Sequence, residues 1–333
     1  MAAGCTDPRA TNFGGSGRFY DHSCTYQFTR GALDASHAGV DSGHVSVPIG
    51  IADLPRRDLT VESWVKYNAG VEWAGPLSFG ADDGSLEQGV FMSQRSATPT
   101  STQLAFALST VGGNTDGDGV MKYIGSEASV IDMGTWHHFA GTYDGTVAKL
   151  YVDGEVTNSL SASDDGGQSG DIFYPDSSYV AANGGWFTIG AYHDANEYYP
   201  VNGLLDEVRI WDMALEADEI AHNHCADLVG TEANLLHFWK MDETSGGTVM
   251  NSVPGAPDGV MQGNMARAAH ENLCLYSFEH GALDFSWGSI DSGHVDVPVG
   301  NIASELPQRD ITVETWIKLS RRGASHDWAG PVS

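Results

Sequence analysis

An internal repeat is the feature that most constrains this chain of 333 residues. The segment GALDASHAGVDSGHVSVPIG, which starts at Gly31, recurs from Gly281 as GALDFSWGSIDSGHVDVPVG, and EWAGPLS recurs as DWAGPVS. The offset is 250 residues over most of this stretch, so the repeat unit has the size of a domain. The second copy stops at Ser333, which matches Ser78 of the first. We expect a piece of a longer tandem protein, or a partial copy that extends an edge of the first domain.

The repeat and the cysteines divide the chain into three expected parts. Residues 1–26 form a short Cys-flanked segment, residues 27–228 form the first domain, and residues 229–333 hold a linker and the truncated second repeat. Each copy needs its own strands to close a core, which a truncated copy lacks.

Alternation of apolar and polar residues predicts β-strands in the first copy. In LTVESWVKY it places Leu59, Val61 and Val65 on one face, as a strand in a sandwich requires. Asp144-Gly145 and Asp153-Gly154 separate further alternating segments, which predicts two consecutive β-hairpins. Only ALEADEIAHNHC has helical spacing. The sequence therefore predicts an all-β domain with one short helix.

The charge and composition of the chain exclude some classes of binding partner. Acidic residues outnumber basic ones 44 to 16, and the formal net charge of −28 repels nucleic acid and anionic membranes. Cations and neutral ligands such as glycans remain. No apolar run approaches the roughly 20 residues of a membrane-spanning helix, and the N-terminus lacks the pattern of a signal peptide. We expect no membrane insertion, and an export signal outside this chain if the protein is exported.

Several linked motifs carry a resemblance to a known family. WHHFAGTYDGTVAKLYVDGE, FTIGAY and NGLLDEVRIWDMALEADEI, in this order, resemble the C-terminal half of a laminin-G-like domain of the concanavalin A-like superfamily. This resemblance implies an antiparallel two-sheet jelly-roll sandwich. LLHFWKMDETSG resembles the strand that commonly opens such a domain, yet the first copy has no counterpart before Phe28. Either that strand was lost with upstream sequence, or Leu235 to Met241 folds back to complete the first sandwich.

The four cysteines suit an oxidising compartment. Four cysteines allow three pairings, and we favour Cys5 with Cys24 and Cys225 with Cys274 over four unpaired buried thiols. GCTDPRATNF, followed by Cys24, resembles a short disulfide-closed motif of tandem extracellular proteins. We therefore expect a secreted or cell-surface protein.

The concanavalin A-like superfamily includes glycosidases, which makes catalysis an alternative to binding. Retaining hydrolysis needs two carboxylates about 5 to 5.5 Å apart, which acids at alternate positions of a strand would provide. Glu216 and Asp218 have that spacing but lie in the predicted helix, and the adjacent Asp206 and Glu207 point to opposite faces of a strand. The sequence favours a protein that is not an enzyme.

Calcium is the candidate cofactor. The loop NTDGDG places oxygen donors at alternate positions, in Asn114, Asp116 and Asp118, although Gly125 occupies the twelfth position, where an EF-hand needs a bidentate acid. A solvated Asp-Gly turn is the alternative. The resemblance implies a second cation site at the sandwich rim. Its candidate ligands are Asp41, repeated as Asp291, together with Asn202 and Asp206.

Asp206 also has a structural interpretation. Strand alternation places it on the inward face with Val208 and Ile210, where a buried carboxylate accepts hydrogen bonds from backbone or Trp groups. We favour this role over that of a ligand.

The loop AYHDANEYYPVNG is the candidate ligand-binding site. Aromatic faces can cover the apolar side of a sugar ring while acids and amides bond its hydroxyls. The residues that offer these groups are Tyr192, His193, Asp194, Asn196, Tyr198 and Tyr199. The alternative is that the aromatic residues only hold a long loop in place.

The function expected from these observations is extracellular binding or adhesion. The domain would recognise glycan or protein ligands through its loops, with calcium ordering one of them, beside further tandem domains of the same chain. The alternative is a purely structural spacer without a ligand pocket. Exposed tyrosines in the 190–203 loop favour binding, whereas tyrosines buried against the sheet favour a spacer.

Overall fold

The computed structural model describes residues 30–36, 43–81, 88–95, 98–111, 120–162, 169–174, 186–193, 197–226 and 228–270. These residues form two antiparallel sheets, a small hairpin and one short α-helix, which confirms the predicted all-β jelly-roll sandwich. The expected N-terminal segment of residues 1–26 and the second repeat after residue 270 lie outside the described residues. Among the described residues, no helix has the length and apolar character needed to cross a bilayer.

The first sheet has eight strands. In spatial order, seven of them are β10 (Glu155–Ser161), β9 (Val147–Val152), β8 (Trp136–Asp144), β3 (Asp58–Ala69), β14 (Asn202–Trp211), β1 (Arg30–Asp34) and β18 (Ala266–His270). The eighth, β15 (Leu235–Trp239), also pairs with β14.

The second sheet also has eight strands. Their spatial order is β16 (Thr248–Val249), β17 (Gly259–Gln262), β2 (His44–Ser46), β11 (Trp186–Ile189), β4 (Leu77–Ala81), β5 (Gln88–Arg95), β6 (Ser101–Thr110) and β7 (Val120–Asp132). The separate hairpin joins β12 (Ala191–His193) to β13 (Tyr198–Pro200), and helix α1 is Ala217–Asn223.

The inner faces of the two sheets form the core. Leu59, Val61 and Val65 lie in it as predicted, together with buried aromatic residues such as Phe79 and Phe106 of the second sheet. Burying an aliphatic or aromatic side chain of this size stabilises the fold by about 1.5–3 kcal/mol. The alternating pattern of the sequence therefore selects which face of each strand excludes water.

The predicted consecutive hairpins are present. Strands β8, β9 and β10 pair antiparallel in sequence order. At the second turn Asp153 and Gly154 both have positive φ, of 52° and 82°, which is the backbone of a type I′ turn. At the first turn the Asp144 carboxylate accepts the N–H groups of Thr146 and Val147. The turn residues thus set the register of the meander.

The segment after helix α1 belongs to the first sandwich. Strand β15 pairs with β14, β17 with β2, and β18 with β1, where Arg30 lies opposite His270. Of the two alternatives for Leu235 to Met241, the structure shows the one in which this segment folds back onto the first copy. The sandwich therefore extends beyond residue 228, where the sequence suggested that the domain ends.

A β-bulge in β14 moves Asp206 away from its expected face. Glu207 has a positive φ of 50°, and the register with β3 shifts between Asp206 and Arg209. Asp206 therefore lies opposite Trp64 on the outer face, whereas Val208 and Ile210 lie in the core. The expected inward direction of Asp206 was wrong, because one extra residue reverses the alternation of a strand.

Helix α1 covers part of the outer face of the first sheet. Ile220 of the helix packs with Tyr151, Trp211 and Phe238 in a second apolar cluster. The carbonyl oxygens that end the helix also have partners, because Arg209 Nη1 donates to Asn223 and Trp64 Nε1 donates to His224. Side chains of the sheet thus satisfy carbonyl groups that a helix end otherwise leaves unpaired.

Candidate ligand-binding surface

The β12–β13 hairpin lies over the outer face of the second sheet. Tyr192 anchors it, since this side chain is 6% exposed and its ring centroid is 5.1 Å from that of Phe91 on β5. Thr188 of β11 donates a hydrogen bond of 2.6 Å to the carbonyl of Ala191. A buried aromatic residue and a sheet hydroxyl therefore fix the base of the hairpin.

The hairpin and β2 bring together a cluster of rings. The His44 ring lies 4.9 Å from that of His193 and 5.8 Å from that of Tyr198, measured between centroids. His193 and Tyr198 meet edge to face at 5.0 Å. His44 also lies within hydrogen-bond distance of the Ser46 hydroxyl, at 3.1 Å, and of the Tyr198 hydroxyl, at 3.4 Å. All three ring-bearing residues are half-buried, so part of each ring faces solvent.

Tyr199 lies on the opposite face of the hairpin from Tyr198. It pairs with Tyr192, its ring stacks on that of Tyr192 at 6.1 Å between centroids, and it packs against the hydrophobic core. Its hydroxyl donates to the Glu197 carboxylate at 3.2 Å. We call His44, His193 and Tyr198 the aromatic patch.

The aromatic patch is held uncharged at His44. Burial, and to a smaller extent the neighbouring His193, together lower the pKa of His44 to about 4. At neutral pH His44 therefore adds no positive charge to the patch. Its donor and acceptor nitrogens lie within hydrogen-bond distance of Ser46 and Tyr198, which orients the ring.

Exposed polar groups adjoin the patch on the same face. Gln262 lies opposite His44 across the β2–β17 pair, and Val260 lies opposite Ser46. Opposed residues of an antiparallel pair point to one face, so Gln262 and Val260 share the outer face with the patch. Both are exposed.

The predicted ligand-binding residues separate into three groups. Tyr192 and Tyr199 hold the hairpin on the sheet, whereas His193 and Tyr198 are half-buried in the patch. Asp194 and Asn196 lie outside the described residues. His44 was not among the site residues predicted from the sequence. Its position on a strand of alternating apolar residues was the available signal, since Val45 and Val47 face the core and His44 therefore faces outward.

The predicted metal ligands are not brought together in the described part of the chain. Asn114, Asp116, Asp118 and Asp41 lie outside it. Asn202 is half-buried at the start of β14. Within the described ranges, no group of three or more His, Cys, Asp or Glu residues has the arrangement of a metal site.

The Asp206 carboxylate is fully buried and has partners. It accepts the N–H of Glu207 at 2.8 Å and lies 3.0 Å from His270 Nε2. These contacts correspond to the structural interpretation, a buried carboxylate bonded to the backbone.

One of the four cysteines is described. Cys225 follows helix α1 and is half-buried, and no described cysteine is a free thiol. Cys5, Cys24 and Cys274 lie outside the described residues, so the pairing of Cys5 with Cys24 and of Cys225 with Cys274 stays a prediction.

A cleft of about 630 Å³ opens elsewhere on the domain, between the 3-10 turn Ile51–Asp53 and β15. Exposed Arg56 and buried His237 line it. The cleft shares no lining residue with the aromatic patch.

Comparison with known families identifies the class of this fold. The family model Laminin_G_3, of the Concanavalin A-like lectin/glucanases superfamily, matches residues 39–221, which is more than half of the chain. The chain therefore belongs to this laminin-G-like family. No curated protein sequence matches it.

Solved structures show the same fold at low sequence identity. A candidate carbohydrate-binding protein from Bacteroides ovatus superposes with a TM-score of 0.52 at 18% identity, covering 74% of this chain and 61% of that one. The chain thus spans about three fifths of that protein's length. A SAP-like pentraxin from Limulus polyphemus has a TM-score of 0.44 at 14% identity, covering 74% of this chain and 97% of that one. At these identities the likeness is one of fold.

Proposed function

We propose that this protein is an extracellular carbohydrate-binding module whose glycan ligand lies against the aromatic patch. The observation that carries the proposal is the half-buried cluster of His44, His193 and Tyr198 on the outer face of the second sheet. Aromatic faces pack against the apolar face of a pyranose, and the imidazole, hydroxyl and amide groups beside them match sugar hydroxyls.

The anchored hairpin supports binding over a spacer role. Tyr192 and Tyr199 pack on the side of the hairpin that faces the sheet, whereas Tyr198 is half-buried on the other side. Two rings therefore hold the hairpin in place, and the third contributes to the aromatic patch. The Bacteroides ovatus protein, described as a candidate for carbohydrate binding, agrees with this role.

The proposed role is binding without catalysis. Among the described residues of β2 and of the hairpin segment 191–200, Glu197 is the single carboxylate, and it accepts a hydrogen bond from the Tyr199 hydroxyl. Retaining hydrolysis needs two carboxylates about 5 to 5.5 Å apart. The described part of the patch lacks that pair.

The calcium part of the proposal is supported by the sequence alone. The loop with Asn114, Asp116 and Asp118 offers three oxygen ligands of the 6 to 8 that calcium takes. If this loop binds calcium, added Ca²⁺ raises the melting temperature by mass action. Asp116→Ala combined with Asp118→Ala then abolishes that rise, whereas an unchanged rise would place the ion elsewhere.

A glycan array, run with and without chelator, tests the proposed function. We expect a set of bound glycans whose affinity falls at least tenfold in His193→Ala and Tyr198→Ala, a loss of about 1.4 kcal/mol or more. His222→Ala is the matched control, because His222 is exposed on helix α1 over the other sheet. Absence of any bound glycan in both conditions would favour the structural spacer.

A further inference from the structure

A small cleft lies on the outer face of the first sheet, beside the entry to helix α1. Its volume is about 270 Å³. Strands β3, β8 and β9 contribute lining residues, and so does the segment 213–215, which joins β14 to the helix. We call it the acidic cleft, and its charged and hydroxyl-bearing side chains are those of Asp58, Asp144, Asp212, Glu216, Lys149 and Thr142.

Two carboxylates of the acidic cleft lie directly opposite each other. Asp58 begins β3 and pairs with Asp144, the last residue of β8. Leu59 and Tyr143 point into the core, so the two acids share the outer face. Like charges directly opposite in an antiparallel pair destabilise the sheet. Within the described part of the chain, no basic side chain forms an ion pair with either acid. A cation bound between them would relieve the repulsion.

A buried hydroxyl of the acidic cleft has no partner. Thr142 lies on the outer face of β8, is 3% exposed and lines the cleft. Its side chain makes no hydrogen bond to any described residue. Thr60, opposite on β3, instead bonds Met213 and Leu215 and so holds the segment 213–215 in place. Because an unpaired polar group at this burial costs free energy, the Thr142 hydroxyl points to a ligand that supplies the missing bond.

The spacing of the acids favours an organic ammonium over a metal ion. Among the described residues, no group of three or more His, Cys, Asp or Glu side chains has the arrangement of a metal site. An ammonium group has three N–H donors and can reach separate acceptors. The cleft is close in size to the smallest ligand sites, which start at about 300 Å³, so one small unit of a ligand fits it.

The donors beside the acids distinguish between two ligands that carry a primary ammonium. Lys149 lies opposite Thr142, is half-buried and makes no ion pair with a described residue. Its ammonium and the Thr142 hydroxyl can donate to hydroxyl oxygens of a ligand. A lysine side chain of a partner protein has no hydroxyl to offer them, whereas an amino sugar carries hydroxyls beside its ammonium. The mixture of acids and donors therefore favours an amino sugar.

We propose that the acidic cleft binds one amino-sugar unit of a glycan through its free ammonium group. Asp58 and Asp144 hold the ammonium, and Thr142 and Lys149 bond the neighbouring hydroxyls. The formal net charge of −28 draws such a cationic ligand toward the protein. The acidic cleft and the aromatic patch lie on different sheets, so this site is additional to the proposed one and does not depend on it.

Matched oligosaccharides test the acidic cleft by titration calorimetry at about pH 6, where the free amine is protonated. The probes are a glucosamine trimer and its neutral, N-acetylated counterpart. We expect the charged trimer to bind about tenfold or more tightly. Asp58→Asn should remove most of this advantage. Glu155→Gln is the matched control, because it deletes one exposed carboxylate on β10 that does not line the cleft.

Thr142→Val separates a binding role from a structural one. Asp58 also lines the cleft of about 630 Å³, whereas Thr142 does not. Valine keeps the shape of the side chain and removes a hydroxyl without a partner, so affinity for the charged trimer should fall about threefold or more while the melting temperature does not fall.

Three outcomes would contradict the proposal. Equal binding of the two trimers, or an advantage that survives both Asp58→Asn and Thr142→Val, would overturn the site. A lysine-containing peptide that binds as tightly as the charged trimer, and loses affinity in the same variants, would overturn its assignment to an amino sugar. Each of these results is independent of the glycan array, because His193→Ala and Tyr198→Ala alter the other sheet.

Discussion

The outer faces of the two sheets differ in how deeply their polar side chains are buried. On the first sheet, Glu62, Arg209 and His138 are all fully or almost fully buried beneath helix α1. On the second sheet, His44 and Tyr198 are half-buried and uncharged or aromatic. On the first face the buried polar groups help to hold helix α1, as the hydrogen bond from Arg209 to the Asn223 carbonyl shows, whereas on the second face His44 and Tyr198 are partly exposed. The proposed function would place recognition on the sheet opposite to the one that holds the helix.

Glu62 is at the centre of the buried polar network of the first sheet. Trp211 Nε1 donates to the Glu62 carboxylate at 2.7 Å, and His138 Nε2 lies 3.1 Å from its other oxygen. Arg209 lies 3.5 Å from Glu62 and also pairs with Glu207. Burial alone would raise the pKa of Glu62, but Arg209 and His138 lower it to about 2. Glu62 is therefore ionised throughout the physiological range.

The largest loss of stability is expected from removing the negative charge of Glu62. Glu62→Gln leaves Arg209 buried with less compensation, and breaking such a pair typically costs about 3–5 kcal/mol of unfolding free energy. Urea denaturation measures this loss. Glu155→Gln, at an exposed position of β10, should change stability by less than about 0.5 kcal/mol. Similar losses in the two variants would contradict the role of the network.

The next effect is acid destabilisation of the first face. The pKa of Glu62 falls from 4.5 to about 2 on folding, so its contribution is present above pH 4.5 and is lost as the pH falls through 2. A shift of this size corresponds to about 3 kcal/mol. Unfolding free energy measured between pH 5 and pH 2 should fall by this amount, and the fall should be absent in Glu62→Gln. An equal fall in both proteins would assign it to other groups.

Acidification should destabilise the second face at a higher pH than the first. The pKa of His44 is lowered from 6.5 to about 4, so the folded state resists protonation and loses stability as the pH falls from 6.5 to 4. Partial exposure reduces the effect to about 1–2 kcal/mol. His237 has the same direction and range, so His44→Gln should remove only part of the slope. A slope unchanged by His44→Gln would contradict the prediction.

The smallest expected effect concerns the entry to helix α1. The Thr60 hydroxyl donates to the Met213 carbonyl at 2.7 Å and accepts the Leu215 N–H at 2.9 Å. Thr60→Val removes both bonds and should cost about 1–2 kcal/mol in thermal unfolding. Thr231→Val is the control at an exposed position. Equal melting temperatures for the two variants would show that these bonds do not hold the helix to the first face.

Local patterns predicted the parts of the fold that depend on neighbours in sequence. The alternation around Leu59 and Val65 placed the core face, and the Asp153-Gly154 pair placed a hairpin. The bulge at Glu207 was not predictable, because a positive φ at a non-glycine residue depends on the surrounding sheet. The return of Leu235–Trp239 to β14 depends on pairing across the chain, and the sequence left it as one of two alternatives.

The sequence predicted the type of side chains in the candidate site but not every residue that forms it. The composition of the 190–203 loop predicted an aromatic surface, and His193 and Tyr198 of this loop lie in the patch. His44 lies 149 residues before His193 in the chain, so only the folded sheet brings the two rings together.

The pairing of β1 with β18 has a mechanical consequence. Arg30 begins the first described strand and lies opposite His270, which ends the last one. Tension applied at these two ends in opposite directions loads their hydrogen bonds one after another, as in opening a zipper, instead of shearing them together. Under an extending force the sandwich would therefore open from the β18 edge, while the hairpin over the second sheet is not on the line of load.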